Sequence, residues 1–183
     1  MDGVDSLRGY LLIAGAGLWD PSFRRAIVLI ASHDDEGAVG VVLNRVAPVT
    51  VEEAVPALAE LVPDGERLLF GGPVQPTSAV VVADLEDTSR VELVAFGSVG
   101  VLPAEIDRPD LLGIRRARVF AGFAGWAPGQ LDAELAEHAW AIEPARADDV
   151  FAPDPERLWD VVLRRRGREG ALLRLLPMDP STN

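Results

Sequence analysis

The sequence lacks two residue types on which many enzymes depend. Among its 183 residues there is no cysteine, and all 17 basic residues are arginine, so lysine is absent as well. Without cysteine the chain has no disulfide, no thiolate nucleophile and no Cys-bound zinc. Without lysine it has neither a Schiff-base nucleophile nor the lysine of a phosphate-binding P-loop. These absences together exclude several enzyme classes.

Histidine is nearly absent too, since the chain has only His33 and His138. Hydrolysis by a serine or threonine nucleophile needs a neighbouring base, and neither histidine lies in a recognisable triad motif such as G-x-S-x-G. We expect His138 to lie in an amphipathic helix and face solvent. The 29 carboxylates are too numerous to single out a catalytic pair. We therefore predict no catalytic residue and no cofactor, and we do not expect enzyme activity.

Long hydrophobic runs are also missing. No apolar stretch approaches the ~20 residues that a membrane helix needs. Residues 1–5 carry acidic charge where a secretory signal carries basic charge. The expected compartment is the cytoplasm, without membrane association, and residues 1–6 are expected to form a loose tail.

Negative charge is what the chain has in excess. Its formal net charge is -12, with a pI near 4.5, and this field repels nucleic-acid phosphates at long range. The one dense basic run is Arg164, Arg165 and Arg166, followed by Arg168. These arginines could bind DNA, or they could complement the dipole at the C-terminal end of a helix. We favour the second interpretation and do not expect direct nucleic-acid binding.

Length and composition predict one domain. The chain is 49% hydrophobic and 25% charged, as expected of an ordinary globular protein that buries one core. No repeat, low-complexity tract or linker divides it, so residues 1–183 are interpreted as a single domain.

Apolar, β-branched segments are candidates for strands, and we expect roughly six strands to form the sheet. Two of the segments, 25–32 and 37–46, are apolar at nearly every position and are joined by the turn sequence HDDEG. This pattern predicts a hairpin of central strands covered on both faces. The other candidates are residues 9–14, 67–70, 78–84, 91–99 and 117–125.

About three helices are interspersed with these strands. Thr50 and Glu53 match a capping box, and Pro56 limits or kinks the helix that follows. A second helix begins near Pro128. The third is delimited by Asp154, Pro155 and Gly167, and its buried face is expected to be Leu158, Trp159, Val162 and Leu163. Together with hairpin-linked strands, these helices predict an α+β domain on a mixed sheet.

A glycine-rich stretch, FAGFAGWAPGQLDAEL from Phe120, marks a strand-to-helix turn. Backbone N–H groups at such a helix start could bind an anion. The spacing, however, is neither G-x-G-x-x-G nor a P-loop, and Asp132 and Glu134 already offset the helix dipole. We favour a structural role, because glycines allow a sharp turn whether or not a ligand is present.

Four blocks of sequence stand out together: residues 11–44, FGGPV at 70–74, AGFAGWAPGQLDAEL at 121–135 with Trp140, and the tail DPSTN at 179–183. In combination they resemble the YqgE/AlgH family of bacterial proteins, which is uncharacterised at the molecular level. The chain departs from the family pattern at Ala16, Val46, Phe123 and Thr182. Phe123 stands where the family often has tyrosine, so a hydroxyl that a site could have used is absent.

The resemblance implies a compact fold in which a strongly bent mixed sheet forms a pseudo-barrel. It also implies a regulator of transcription, a role assigned to the family on genetic grounds. It implies no substrate, cofactor or catalytic residue.

One group of residues could line a cleft for a small anionic or nucleotide-like ligand. Arginine would supply charge, Trp126 stacking, and the Asn and Gln side chains polar edges. Alternatively, Asn44 caps a strand end, Gln130 satisfies a helix start and Trp126 belongs to the core, and we favour this second interpretation. The candidate cleft residues are Arg24, Arg25, Asn44, Arg45, Gly71, Gly72, Trp126 and Gln130.

The acidic turn from His33 to Glu36 looks at first like a cation site. Four consecutive hairpin residues point in different directions, and neither an EF-hand register nor an H-x-x-x-H pair is present. We interpret it as a solvated turn and predict no metal site.

Three functions remain open at this stage. The favoured one is a non-enzymatic regulatory or adaptor protein that binds a small ligand or a protein partner. The alternatives are direct DNA binding through residues 164–168 and an unrecognised hydrolase acting near Asn44 and Gln130. The partner, the ligand and the oligomeric state do not follow from the sequence.

Overall fold

The computed structural model describes residues 6–15, 18, 20–91, 93–102, 105–106 and 113–175. The expected loose tail at 1–6 lies outside these residues, apart from Ser6. The block 179–183 and Ala16 also lie outside them.

Within the described residues the chain forms ten strands, five α-helices and two 3₁₀ turns. The strands are β1 (Tyr10–Ala14), β2 (Ile27–Asp34), β3 (Gly37–Val42), β4 (Val46–Thr50), β5 (Arg67–Phe70), β6 (Val74–Leu85), β7 (Leu93–Phe96), β8 (Val99–Leu102), β9 (Ile114–Trp126) and β10 (Trp140–Pro144). The helices are α1 (Val51–Ala54), α2 (Gln130–Ala136), α3 (Ala147–Val150), α4 (Leu158–Arg165) and α5 (Arg168–Leu175), and the 3₁₀ turns are Pro56–Leu61 and Pro155–Arg157.

The sheet is built around a buried hairpin. β2 and β3 pair antiparallel, and the first five residues of β2 are buried, as two covered faces require. The predicted central hairpin is therefore confirmed. β1 and β10 extend the sheet on the β2 side, while β9 continues it on the β3 side.

The full strand order is β10-β1-β2-β3-β9-β6-β8-β7, and β4 and β5 branch from β9. β5 runs parallel to β9, whereas the other described pairings are antiparallel, so the sheet is mixed. The sheet bends until Gly9, just before β1, packs against Phe96 of β7, where an added Cβ would lie 2.9 Å from the Phe96 Cβ. Within the described residues no pairing joins β7 to β10, so the sheet curls without closing. The predicted α+β class with a bent mixed sheet is confirmed.

Helix boundaries follow the capping signals. Thr50 accepts a hydrogen bond from the Glu53 backbone, and the Glu53 carboxylate accepts one from the Thr50 backbone at 2.8 Å. Pro56 ends this helix after one turn and begins a 3₁₀ turn. In α4, Leu158, Trp159, Val162 and Leu163 are buried as predicted.

Several boundaries differ from the sequence-based expectation. Residues 91–99 were expected to form one strand, but Gly97, with φ +49°, turns the chain between β7 and β8. His138 does not lie in a helix, because α2 ends at Ala136 and His138 follows with φ +58°, although it is exposed as expected. β4, β10, α3 and α5 were not expected at all.

No helix among the described residues is both long enough and apolar enough to cross a membrane.

Candidate functional site

The loop before β2, residues 20–25, is held by two side chains that follow β3. Asn44 is 6% exposed, its Oδ1 accepts the Ile27 N–H at 2.9 Å, and its Nδ2 donates to the Arg25 carbonyl at 2.8 Å. Arg45 donates from Nη2 to the Arg24 carbonyl. Both side chains therefore fix the loop backbone.

This arrangement leaves Arg24 and Arg25 with exposed side chains. Arg25 has φ +53°, a conformation that costs a non-glycine residue about 1–2 kcal/mol. Arg45 is half-buried, and burial lowers the pKa of its guanidinium. The loop thus presents two cations in a fixed backbone conformation.

Gly71 and Gly72 follow β5 and approach the backbone of β9 closely. The Gly71 carbonyl accepts the Val42 N–H at 2.8 Å, and the Gly71 N–H donates to Ala121 at 2.8 Å. A Cβ on Gly71 would lie 2.2 Å from the Gly122 oxygen, so these glycines are required for close approach of two backbones. The Gly71 N–H is therefore not free to bind an anion.

Trp126 and Gln130 belong to a second group, centred on Glu134. The Trp126 indole N–H donates to Glu134 Oε2 at 2.9 Å, and the Trp140 indole N–H donates to the same oxygen at 2.7 Å. Gln130 donates to Glu134 Oε1 at 2.9 Å and accepts the Ala127 N–H at 3.0 Å. The glycine-rich stretch thus ends in a hydrogen-bonded unit that locks the strand β9 to helix α2.

The eight candidate cleft residues therefore fall into two groups. Arg24, Arg25, Asn44 and Arg45 are joined by direct hydrogen bonds or adjacency, and Gly71 and Gly72 follow Phe70, whose N–H donates to the Arg45 carbonyl. Phe23 links them to the second group, because its ring centroid lies 6.2 Å from that of Trp126 and 5.6 Å from that of Trp140. The amides of Asn44 and Gln130 both have protein partners.

In the acidic turn at residues 33–36, two side chains accept hydrogen bonds from backbone N–H groups. His33 Nδ1 accepts the Leu7 N–H at 3.1 Å, and Asp34 accepts the Glu36 N–H at 2.9 Å. Among the residues that the structure describes, no three His, Asp or Glu side chains are grouped so that they could hold a metal ion.

In the dense basic run, Arg165 and Arg166 form ion pairs with acidic side chains. Arg165 donates to both carboxylate oxygens of Asp149 at 2.9–3.1 Å and to Glu143 at 3.2 Å. Arg166 contacts Glu143 at 3.1 Å and Glu169 at 2.8 Å. Only Arg164 and Arg168 of the run are exposed.

Sequence reasoning missed a cavity of about 520 Å³ against β4, β5 and β9. It contains Arg118, which is 8% exposed and makes an ion pair with Glu66 at 3.3 Å. Burial lowers the pKa of Arg118, while the charge of Glu66 acts in the opposite direction. One sequence signal could have indicated this buried arginine: Arg118 directly precedes the apolar run VFAGFAG, in a segment predicted to be a strand.

Comparison with known proteins gives consistent matches over nearly the whole chain. The AlgH-like family model matches residues 11–171. A UPF0301 protein of Streptomyces avermitilis is 42% identical over 191 residues, covering 100% of this chain and 98% of that protein. A UPF0301 protein of Thermobifida fusca is 38% identical, covering 97% and 96%.

Two solved structures share the fold. The crystal structure of a Corynebacterium diphtheriae protein superposes with a TM-score of 0.84 at 28% identity and covers 94% of each chain. The solution structure of the AlgH protein from Pseudomonas aeruginosa superposes with a TM-score of 0.73 at 26% identity and covers 97% of each chain.

Proposed function

Because the chain belongs to the AlgH-like family, as the four sequence blocks indicated, we propose that it is a non-enzymatic regulatory or adaptor protein. It acts in the cytoplasm by binding an anionic small molecule or an acidic protein segment. The binding surface is the loop at residues 20–25 together with Phe70, whose backbone is bonded to Arg45. No bond of the ligand is made or broken.

The observation that carries this proposal is the fixed presentation of Arg24 and Arg25. Asn44 and Arg45 hold the carbonyls of these two residues, so the loop is ordered before any ligand arrives. A preorganised loop loses less entropy on binding than a flexible one, which favours affinity. Arginine also binds carboxylates and phosphates through two parallel hydrogen bonds.

Phe70 supports the same surface. Its side chain is 48% exposed, although aromatic residues are usually buried, and its N–H donates to the Arg45 carbonyl at 2.8 Å. The backbone of this exposed ring is thus bonded to Arg45, the residue that holds the Arg24 carbonyl, and a surface with both arginine and an exposed ring suits a ligand with a flat, apolar part and an anionic part, such as a nucleotide. Because the protein as a whole carries a net charge of -12, an anion would be attracted only locally.

The test uses a double variant and a charge-matched control. Arg24→Glu with Arg25→Glu reverses both loop charges, whereas Arg8→Glu with Arg157→Glu reverses two exposed arginines elsewhere. Thermal shift is measured with nucleoside mono-, di- and triphosphates and with acidic peptides. We expect stabilisation of the wild type and of the control, and its loss in the loop variant. If no ligand of the panel shifts the wild type and affinity purification recovers no partner, the proposal is wrong.

The two alternatives make different predictions. DNA binding through residues 164–168 is disfavoured because Arg165 and Arg166 already pair with carboxylates. A hydrolase near Asn44 or Gln130 would have to use amides that are bonded within the protein. Turnover by the pure protein that is lost in a folded Asn44→Ala or Gln130→Ala variant would establish the hydrolase instead.

A further inference from the structure

The cavity against β4, β5 and β9 is separate from the Arg24–Arg25 surface. Its floor is one face of three strands: Val46 from β4, Arg67 and Leu69 from β5, and Arg118 from β9. Leu69 pairs with Phe120 in the parallel ladder, so Arg67 and Arg118, each two residues earlier, occupy neighbouring positions on the same face. The segment 153–156 forms the wall.

The volume of about 520 Å³ lies within the range of about 300–1,000 Å³ that is typical of small-molecule sites. The lining is mixed, with apolar side chains between charged ones. A pocket of this kind orients its ligand through a few polar groups while the apolar walls contact the rest of the ligand.

Arg118 supplies the buried charge at the floor. Its side chain is 10% exposed, its Nη2 donates to the Ala152 carbonyl, and its Nη1 lies 3.3 Å from Glu66. A guanidinium has five N–H donors, and these two contacts do not use all of them. Arg67 donates through Nε and Nη2 to the Ala47 carbonyl, at 3.1 and 2.7 Å. Glu66 also lines the cavity, so a ligand carboxylate would accept hydrogen bonds from Arg67 and from the donors of Arg118 that Glu66 and Ala152 leave unused.

The wall has the opposite charge. Asp154 and Glu156 line the cavity and are exposed, and among the described residues no hydrogen bond or ion pair of their carboxylates is found. A ligand that is only anionic would face these carboxylates, and a ligand that is only cationic would face Arg118 and Arg67. A ligand with both charges satisfies both ends.

We propose that this cavity binds a zwitterionic ligand, with a carboxylate at one end, an ammonium group at the other and an aliphatic spacer between them. The carboxylate accepts hydrogen bonds from Arg118 and Arg67. The ammonium group contacts Asp154 and Glu156. The spacer packs on Val46, and an ω-amino acid belongs to this class.

Three probes with the same six-carbon chain distinguish the contributions of the two charged groups to binding. They are 6-aminohexanoate, which is zwitterionic, hexanoate, which has only the carboxylate, and hexylamine, which has only the ammonium group. Affinity is measured by NMR titration of the whole protein, following the backbone amides of Val46 and Leu69. We expect 6-aminohexanoate to bind about tenfold more tightly than either single-charge analogue, the change produced by one lost charge-assisted hydrogen bond.

Variants of the protein test which residues bind the carboxylate of the ligand and which bind its ammonium group. Asp154→Asn is expected to weaken 6-aminohexanoate about tenfold and not to weaken hexanoate, whereas Arg67→Met is expected to weaken hexanoate and not to weaken hexylamine. Glu137→Gln removes an exposed carboxylate outside the cavity and is the matched control, with no effect on any probe. Arg118→Met should abolish binding of the carboxylate. Should this variant fail to fold, Arg67→Met still tests the same end.

Three results would overturn the proposal: no saturable shift with 6-aminohexanoate, equal affinity for 6-aminohexanoate and hexanoate, or unchanged binding in Asp154→Asn. These results do not bear on the Arg24–Arg25 surface, because none of the variants changes that loop.

Discussion

Some single side chains hold several elements of this fold together through hydrogen bonds. Glu134 accepts both indole N–H groups, from Trp126 and Trp140, as well as the Gln130 amide. The two tryptophans are 6% and 5% exposed, so water cannot easily replace the carboxylate. One residue thereby joins the end of β9, helix α2 and the start of β10.

Replacement of Glu134 should therefore be costly. Glu134→Ala leaves two indole donors without an acceptor, and we expect a loss of about 2–4 kcal/mol in the free energy of unfolding, measured by urea denaturation. Glu134→Gln retains one acceptor oxygen and should recover part of the loss. Glu137→Ala, three residues on and exposed, should change stability by less than about 0.5 kcal/mol. Equal effects of Glu134→Ala and Glu137→Ala would show that the indole bonds contribute nothing.

Gly122 illustrates a second kind of residue, for which the constraint is space. Its φ is +69°, and an added Cβ would lie 2.6 Å from the Gly72 oxygen and 2.8 Å from the Val74 oxygen. Gly129 has a similar φ of +72°, yet nothing lies within 4 Å of an added Cβ. The two glycines therefore separate the cost of conformation from the cost of crowding.

We expect Gly129→Ala to lose about 1–2 kcal/mol, the cost of the left-handed conformation alone. Gly122→Ala should lose about 2–5 kcal/mol, because backbone oxygens must also move apart. Thermal and urea unfolding of both variants measures the difference. If the two variants lose the same stability, the close approach of Gly72 and Gly122 is not a constraint on the fold.

Among the elements, β9 is the strand that connects the parts of the sheet. It pairs with β3, β5 and β6, so it links the β2–β3 hairpin, the β4–β5 branch and the β6–β8–β7 part of the sheet. At its start, Arg115 and Arg116 bind Asp84 of β6 at 2.9 and 3.0 Å. Ser98, in the turn between β7 and β8, donates to the same carboxylate at 2.8 Å. Asp84 thus connects three elements.

Asp84 predicts a specific pH dependence. Burial alone would raise the pKa of its carboxyl, but hydrogen bonds from Ser98, Arg115 and Arg116 together hold the pKa below its ordinary value. The folded state therefore binds this proton less readily than the unfolded chain. Asp84 contributes stability above the unfolded pKa of about 3.9, and this contribution is lost as the pH falls through the lower, folded-state pKa.

Urea unfolding between neutral and acidic pH measures this contribution. Asp84→Asn should be less stable than the wild type at neutral pH, and its stability should fall less steeply on acidification. Asp35→Asn, in the exposed β2–β3 turn, is expected to match the wild type at neutral pH. A wild type and an Asp84→Asn variant with parallel pH curves would contradict the assignment.

The elements that the sequence predicts well are those with strong local signals. The β2–β3 hairpin is apolar on both faces, and the Thr50–Glu53 capping box marks a helix start, so both follow from neighbouring residues. β10 has only five residues and α3 only four, and their conformation depends on partners far along the chain. The helix α5 was missed because Gly167 ends α4 as predicted, after which the chain resumes a helix.

The site was harder to predict than the fold. Sequence reasoning grouped Asn44, Arg45 and Gly71 with the arginines of the loop as a possible lining of one cleft, and the structure joins Asn44 and Arg45 to the loop by hydrogen bonds. It favoured a capping role for Asn44 but could not identify the backbone of Arg25 and Ile27 as the partners, because residue 44 is 17 positions from residue 27. It also missed the Arg118 cavity, which forms only when β4, β5 and β9 come together with residues 153–156.

At the scale of the whole molecule, the distribution of charge matters more than its sum. The net charge is -12, but Arg165 and Arg166 form ion pairs with Asp149, Glu143 and Glu169. These ion pairs join α4 to β10, α3 and α5, and the two arginine side chains are only 15% and 14% exposed. Removing one partner of such a pair typically costs about 3–5 kcal/mol, since an uncompensated charge remains.

This distribution leads to a prediction about nucleic acids. The exposed arginines of the run are Arg164 and Arg168, so Arg164→Glu with Arg168→Glu reverses the accessible charge without breaking the buried pairs. We expect the wild type and this variant to behave alike in electrophoretic mobility shifts with duplex DNA, forming no complex that survives about 150 mM salt. The acidic field of the whole molecule opposes the approach of phosphates, and two surface arginines do not neutralise it. A salt-resistant complex of the wild type that the variant loses would instead make this end of α4 a DNA-binding surface and would favour direct regulation.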